Sequence, residues 1–155
     1  MTVHIGPLAA AHAGEALTVQ RAAYVTEAQL YDAPRIPPLT ETLDELRADL
    51  MSGTSAFGAW DGSRLAGSVR GRVDGDRMEV VRFAVAPDLQ GQGIGQALLA
   101  AVEEAAPPEV RTLWLVTGVT SAASRHLYRK AGYDQVAETT DPVGVALVVL
   151  EKTRT

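Results

Sequence analysis

The chain contains no cysteine, which excludes disulfides, thiolate zinc sites and a cysteine nucleophile together. It is also poor in histidine: His4, His12 and His126 stand at no metal-ligand spacing, so no metal is expected. Long apolar runs are missing as well. The longest, residues 143–150, is interrupted by Gly144 and falls far short of the ~20 residues a membrane helix needs. Residues 1–14 lack the basic segment that opens a secretory signal, and these absences lead to the expectation of a soluble, cytoplasmic protein that meets no membrane. Excess positive charge is absent too: 14 Lys and Arg stand against 19 Asp and Glu, giving a net charge of −5 and a pI near 5.1. Nucleic acid, whose phosphates draw basic faces, is therefore an unsuitable partner, and a neutral or cationic one fits better.

What is present is ordinary globular material. With 155 residues, 46% hydrophobic and 21% charged, the chain suits one domain over residues 1–155 and rules out a disordered tail, a collagen-like chain or a coiled coil. Residues 2–5 alternate before Gly6-Pro7, and Leu17, Tyr24, Ala28 and Tyr31 recur at helical spacing up to Pro34, so a short strand leads into a helix. Residues 34–38, with three prolines, read as a stiff non-helical loop. Thr42 and Glu45 fit a capping box that opens a second helix with Leu43, Leu46 and Leu50 on one face. Residues 55–60, 65–72 and 77–86 are strand-like and separated by Asp61-Gly62 and Asp74-Gly75, which predicts an antiparallel meander. Ile94, Ala97, Leu98, Ala101, Val102 and Ala105 make an apolar helical stripe that stops at Pro107-Pro108. A strand over residues 111–117, a helix ended by Gly132, a weaker strand over 134–139 and a buried closing strand over 143–150 complete the chain. The predicted order is β-α-α-β-β-β-α-β-α-β-β, an α/β mixed sheet that is antiparallel first and parallel where helices cross over.

Between the strand that ends near Ala86 and the next helix lies Gln90-Gly91-Gln92-Gly93-Ile94-Gly95. Unpaired backbone N–H groups and the positive end of a helix converge there, a setting suited to an anion. Glycines let the backbone approach a pyrophosphate; a tight turn without a ligand is the plain alternative. No Lys-Ser/Thr pair follows the last glycine, so this is not a Walker loop. The strand over residues 111–117 holds no Asp or Glu for a ribose, so a dinucleotide fingerprint fits poorly as well.

Residues 83–95, FAVAPDLQGQGIG, resemble the coenzyme A motif Arg/Gln-x-x-Gly-x-Gly/Ala of the GNAT superfamily of N-acetyltransferases. Leu127-Tyr128-Arg129-Lys130-Ala131-Gly132-Tyr133 is similar to the same family's Leu-Tyr-x-Lys-x-Gly-Phe/Tyr segment, and the predicted element order agrees. The resemblance is strong over residues 79–133 and weak over the first two helices. It implies that acetyl-CoA is the cosubstrate, with no metal. Its pyrophosphate would lie on Gln90, Gly91, Gln92, Gly93, Ile94, Gly95 and Gln96, and its pantetheine along the main chain of Phe83, Ala84 and Val85, whose side chains also suit core packing. Where many members carry Asn seven or four residues before the tyrosine, this chain has Ser121 and Ser124. Ser121 reads as a helix N-cap, and Ser124 as a cofactor contact or a small packing residue.

Acetyl transfer to an amine needs a neutral nitrogen, stabilisation of an oxyanion and a proton for the departing thiolate. Tyr128 is the candidate acid, since a phenol stays protonated at neutral pH; a buried tyrosine on a helix stripe is the alternative. By resemblance Glu79 is the candidate base, since it stands four residues before Phe83, where some members of that family hold a carboxylate that removes the amine proton. In an unbroken strand it shares an apolar face with Val81, Phe83 and Val85, which would raise its pKa; a solvated carboxylate beside Arg77 or Arg82 is the alternative. By resemblance, a distorted stretch at residues 83–85 would offer an oxyanion donor. The lack of cysteine favours direct attack in a ternary complex over an acetyl-cysteine intermediate. Tyr24, Glu27 and Tyr31 recur on one helical face and are candidates for acceptor binding, with Asp32, Glu41 and Asp44 nearby to attract a cation; a solvated acidic surface, with Arg35 beside it, is the alternative. The leading expectation is an N-acetyltransferase for the primary amine of a small molecule or peptide, with a homodimer admissible. A non-catalytic CoA-binding or sensing module is the alternative.

Overall fold

Two hairpins close at the Asp-Gly dipeptides, where Asp61 pairs with Arg64 and Asp74 with Arg77. The strands they join form the antiparallel half of a seven-stranded sheet in the computed structural model. The structure describes residues 2–120 and 122–155, apart from the side chains of residues 122 and 123. Its strands are β1 (His4–Pro7), β2 (Ser55–Asp61), β3 (Arg64–Asp74), β4 (Arg77–Val85), β5 (Thr112–Gly118), β6 (Asp134–Thr140) and β7 (Ala146–Thr153). Its helices are α1 (Ala13–Leu30), α2 (Pro37–Thr40), α3 (Leu43–Met51), α4 (Ile94–Glu104) and α5 (Ala122–Lys130). The sheet order is β1-β2-β3-β4-β5-β7-β6, antiparallel at every step except β4 to β5. The helical crossover through α5 therefore skips a place: β6 runs parallel to β5, but β7 lies between them.

The helices divide between the two faces. The stripe of α4 buries Leu98, Leu99 and Val102 against Val69, Met78, Leu113 and Leu115, and Tyr128 of α5 joins the same cluster. Truncating one of these side chains to alanine would cost about 2–5 kcal/mol. On the other face Ala13, Ala16 and Leu17 of α1 and Leu46 of α3 pack over Ala56 and Leu65.

Several elements differ from the expectations. The proline loop contains one helical turn, α2, with prolines at its first positions, where the missing N–H groups would have had no intrahelical partner. Thr42 and Glu45 do form the capping box, with Thr42 Oγ1 accepting from the Glu45 amide at 3.1 Å and Glu45 Oε1 accepting from the Thr42 amide at 2.9 Å. Leu43, however, is exposed; Leu46 alone of that helix is fully buried, with Leu50 partly covered. The closing strand begins three residues later than expected and is half-buried, because helices cover only one of its faces. β6 forms the sheet edge and is exposed along its whole length.

Beneath α1 lies an ionic cluster the sequence did not announce. Arg70 of β3 is almost wholly buried and donates to Glu41 Oε1 and to Asp49 Oδ2, each at 2.6 Å, and to Gln20 Oε1 at 3.1 Å. Gln20 also donates to the Pro38 carbonyl at 2.9 Å. One guanidinium thus fastens α1, the segment after α2, and α3 to the sheet.

Candidate active site

β4 and β5 pair at only three positions, Arg77 with Thr112, Met78 with Leu113 and Glu79 with Trp114, and then diverge. Beyond Glu79 the main chain of β4 has no strand partner on its β5 side among the described residues. The divergence opens a cleft of about 1060 Å³. On its other edge β4 carries a bulge: Val81 pairs with Arg70 and Ala84 with Ser68, so Arg82 and Phe83 together face Val69. Arg82 takes a φ of +52°, a left-handed backbone rarely held by a side chain of this size. Gly67, against the same stretch, has no room for a Cβ, which would meet the Ala84 carbonyl oxygen at 2.8 Å.

The bulge corrects the expected facing of Glu79. Glu79 and Val81 lie opposite Arg72 and Arg70, on the face of α1 and α3. One extra residue then turns Phe83 to the other face, where its ring meets Gly95 of α4 and Tyr128 of α5. Glu79 and Phe83 are thus on opposite faces of one strand.

The glycine-rich turn follows a single turn of 3₁₀ helix, Pro87–Leu89, and enters the cleft with the N-terminus of α4. Gly93 is the N-cap with a φ of +84° and Gly91 has a φ of +79°; nothing lies within 4 Å of where a Cβ would stand on either. No side chain caps this helix end, so its first amides face the cleft. Gly95 is glycine for a different reason, since a Cβ would press on the Phe83 ring at 3.0 Å. Of residues 90–96 only Gln92 stands outside the cleft lining, and Gln90 folds back to donate to the Val85 carbonyl at 3.3 Å. An open strand edge leading to a glycine cradle and a helix N-terminus fits an extended group that ends in phosphates.

Tyr128 is buried between two rings, edge-on to Phe83 at 5.8 Å and to Tyr133 at 6.1 Å between centroids. Burial pushes its pKa well up, and the charges of Tyr24 and Glu27 add to the rise. Burial likewise raises the Glu79 pKa, partly offset by the Arg72 and Arg82 guanidiniums. Ser124 lines the cleft, whereas Ser121 lies outside the described residues.

Tyr24, Glu27 and Tyr31 all line the cleft from α1 and its end, with Ile36 and the α2 prolines beside them. Burial lifts the Tyr24 pKa above the ordinary phenol range, helped by Glu27. The Tyr31 hydroxyl accepts from the Thr120 amide at 2.9 Å, and its ring occupies the space that any side chain at Gly118 would need. The acidic neighbours do not serve the wall as expected. Neither lines the cleft: Glu41 is engaged by Arg70 and Arg82, and Asp44 is solvated, its side chain 95% exposed with Arg47 3.4 Å away. Arg82 is a cleft residue that sequence reasoning weighed only as a neighbour of Glu79; its aim depends on the bulge, which no local pattern encodes.

The acetyltransferase (GNAT) family model matches residues 24–133, and the chain belongs to that family. Solved structures agree over the whole length at low identity. A PaiA N-acetyltransferase from Thermoplasma acidophilum in complex with coenzyme A superposes with a TM-score of 0.81 at 18% identity, covering 99% of this chain and 100% of that one. An N-acetyltransferase from Staphylococcus aureus gives 0.79 at 16%, covering 99% of each. YncA from Salmonella typhimurium, a putative acetyltransferase with its cofactor acetyl-CoA, gives 0.77 at 16%, covering 99% and 94%. A search of curated protein sequences finds no match.

Proposed function

We propose that the protein transfers an acetyl group from acetyl-CoA to a primary amine of a small molecule or peptide by direct attack in a ternary complex. The observation that carries this reading is the divergence of β4 from β5 beyond Glu79, flanked by the glycine cradle on one side and the buried Tyr128 on the other. Bound acetyl-CoA supplies an activated acyl carbonyl and a thiolate leaving group. The amides of Gly91, Gly93, Ile94, Gly95 and Gln96 spread the pyrophosphate charge, and the open edge at Phe83, Ala84 and Val85 receives the pantetheine as an added strand. A main-chain N–H at the bulge stabilises the negative charge that develops on the carbonyl oxygen. Glu79 accepts the proton lost by the attacking amine, directly or through a water molecule.

Tyr128 donates its hydroxyl proton to sulfur as the C–S bond breaks and regains one from solvent. The desolvation that raises its pKa raises that of a thiol held beside it, so donor and acceptor stay matched. The test is release of free CoA from acetyl-CoA across amines, amino-acid amides and peptide N-termini. Acetylation of at least one amine, identified by mass, is expected; binding of acetyl-CoA without transfer to any of them would leave a CoA-binding module instead.

A further inference from the structure

The cleft continues past the reacting centre along the face of β5 and β7 that lies opposite α4 and α5. On β5 and β7, Leu113, Leu115, Val148 and Leu150 belong to the core under α4 and α5. By strand alternation Trp114, Val116, Leu147 and Val149 therefore point the other way. All four line the cleft, on the side of α1. They are adjacent as well as co-facial: Val116 pairs directly with Val149, and Leu147 with Gly118, beside the Tyr31 ring. Val116 is 37% exposed, a branched apolar side chain open to the cleft. The floor starts at Trp114, which pairs with Glu79, so it is continuous with the place where the amine must lie.

Carboxylates are few around this floor. Among the described residues three carboxylates line the cleft, Glu27, Glu79 and Asp141. Glu79 and Glu27 stand at the reacting end, and Asp141 Oδ1 accepts from the amides of Val143 at 2.9 Å and Val145 at 2.8 Å to hold the loop before β7. At the Trp114 end the Arg77 guanidinium lies 5.7 Å from the centre of the Trp114 ring and donates to Glu151 at 2.9 Å. A second ammonium group laid along the floor would meet valine and leucine in place of a free carboxylate.

We infer that the acceptor is a primary amine with an apolar or aromatic group close to the nitrogen, seated on Trp114, Val116 and Val149. The inference rests on the reading of the protein as an amine acetyltransferase and adds the class of amine. A phenyl or branched alkyl group on this floor removes apolar surface from water on both sides, whereas a polyamine would have to strip water from a charge without a partner.

The experiment compares kcat/KM at fixed pH, corrected for the free-base fraction, in two matched pairs: phenethylamine against ethylamine, and phenylalanine amide against glycine amide, with putrescine as the polycation. The apolar member is expected to be favoured by about tenfold or more, the least discrimination a single added methylene commonly brings in an apolar pocket. Preference in the first pair alone supports a free arylalkylamine, and in the second alone a peptide N-terminus. The variant Val116→Glu is expected to shrink the ratio; should it fold poorly by thermal melting, Val116→Thr keeps the shape and introduces one hydroxyl. Ratios near one in both pairs, or putrescine as the best acceptor, would overturn the inference while leaving amine acetylation intact. Failure to acetylate any amine would overturn the underlying reading, and this inference with it.

Discussion

Arg70 and Glu41 meet at 2.6 Å beneath the α1 wall, both nearly shut off from water. Burial alone would raise the Glu41 pKa, but the hydrogen bonds from Arg70 and Gln20 and the charges of Arg70 and Arg82 outweigh it and hold Glu41 down at about 2. Asp49 is lowered in the same way, against its own burial, by Arg70 and Arg72. The pair, 29 residues apart in sequence, ties the segment after α2 to the sheet.

Because Glu41 titrates lower when folded than its ordinary 4.5, its contribution is complete above pH 4.5 and drains away as pH falls towards about 2. Its full size is on the order of 3 kcal/mol. Urea denaturation at a series of pH values should show wild-type stability falling across that window. Glu41→Gln is expected to be less stable at neutral pH and flatter in acid. An unchanged acid slope in the variant would assign the loss to other carboxylates.

Tyr128→Phe keeps the ring against Phe83 and Tyr133 and removes only the hydroxyl. Loss of a general acid commonly costs about 10²- to 10⁴-fold in turnover. Acetyl-CoA affinity by calorimetry is expected to hold while kcat drops by that range on the best amine. Unchanged turnover, with chemistry shown to limit the rate, would leave Tyr128 as a packing residue.

Glu79 has a pKa raised by burial, so a proton-accepting role makes the rate climb as pH rises through that value. Glu79→Gln keeps the shape and removes the basicity. The ascending limb of the kcat/KM profile should move to higher pH, where hydroxide or the free amine takes over. Glu27→Gln is the matched control, since Glu27 acts on Tyr128 and Tyr24. An identical profile for Glu79→Gln would leave proton removal to the amine's own ionisation.

The glycine cradle and the Tyr128 segment were legible because each is a local string: its spacing is fixed by a turn or a helix that the same residues build. Tyr24, Glu27 and Tyr31 were legible as one helical face for the same reason, and all three do line the cleft. Arg70 was not, since its carboxylate and amide partners come from α1, the end of α2 and α3, and a lone arginine in a strand looks like any solvated one. The burial of Glu41 was not legible on the same ground, as proximity in sequence says nothing of which arginine takes the charge, whereas Asp44 is solvated, as the alternative had it. The facing of Glu79 failed because strand alternation presumes regular pairing, and pairing is a property of two strands at once.

The bulge in β4 has a further consequence, best put as counting. Between Val81 and Ala84 the strand holds one residue more than its partner needs. That surplus residue separates the carboxylate face from the face that meets Tyr128, and it gives Arg82 its unusual backbone. Point substitutions would leave the count unchanged. A deletion of Arg82 would restore even alternation, leave Phe83 and Val85 on the face opposite Glu79, and remove the left-handed residue at which the strand is irregular. The arrangement is thus written in the length of a strand as much as in the identity of its residues.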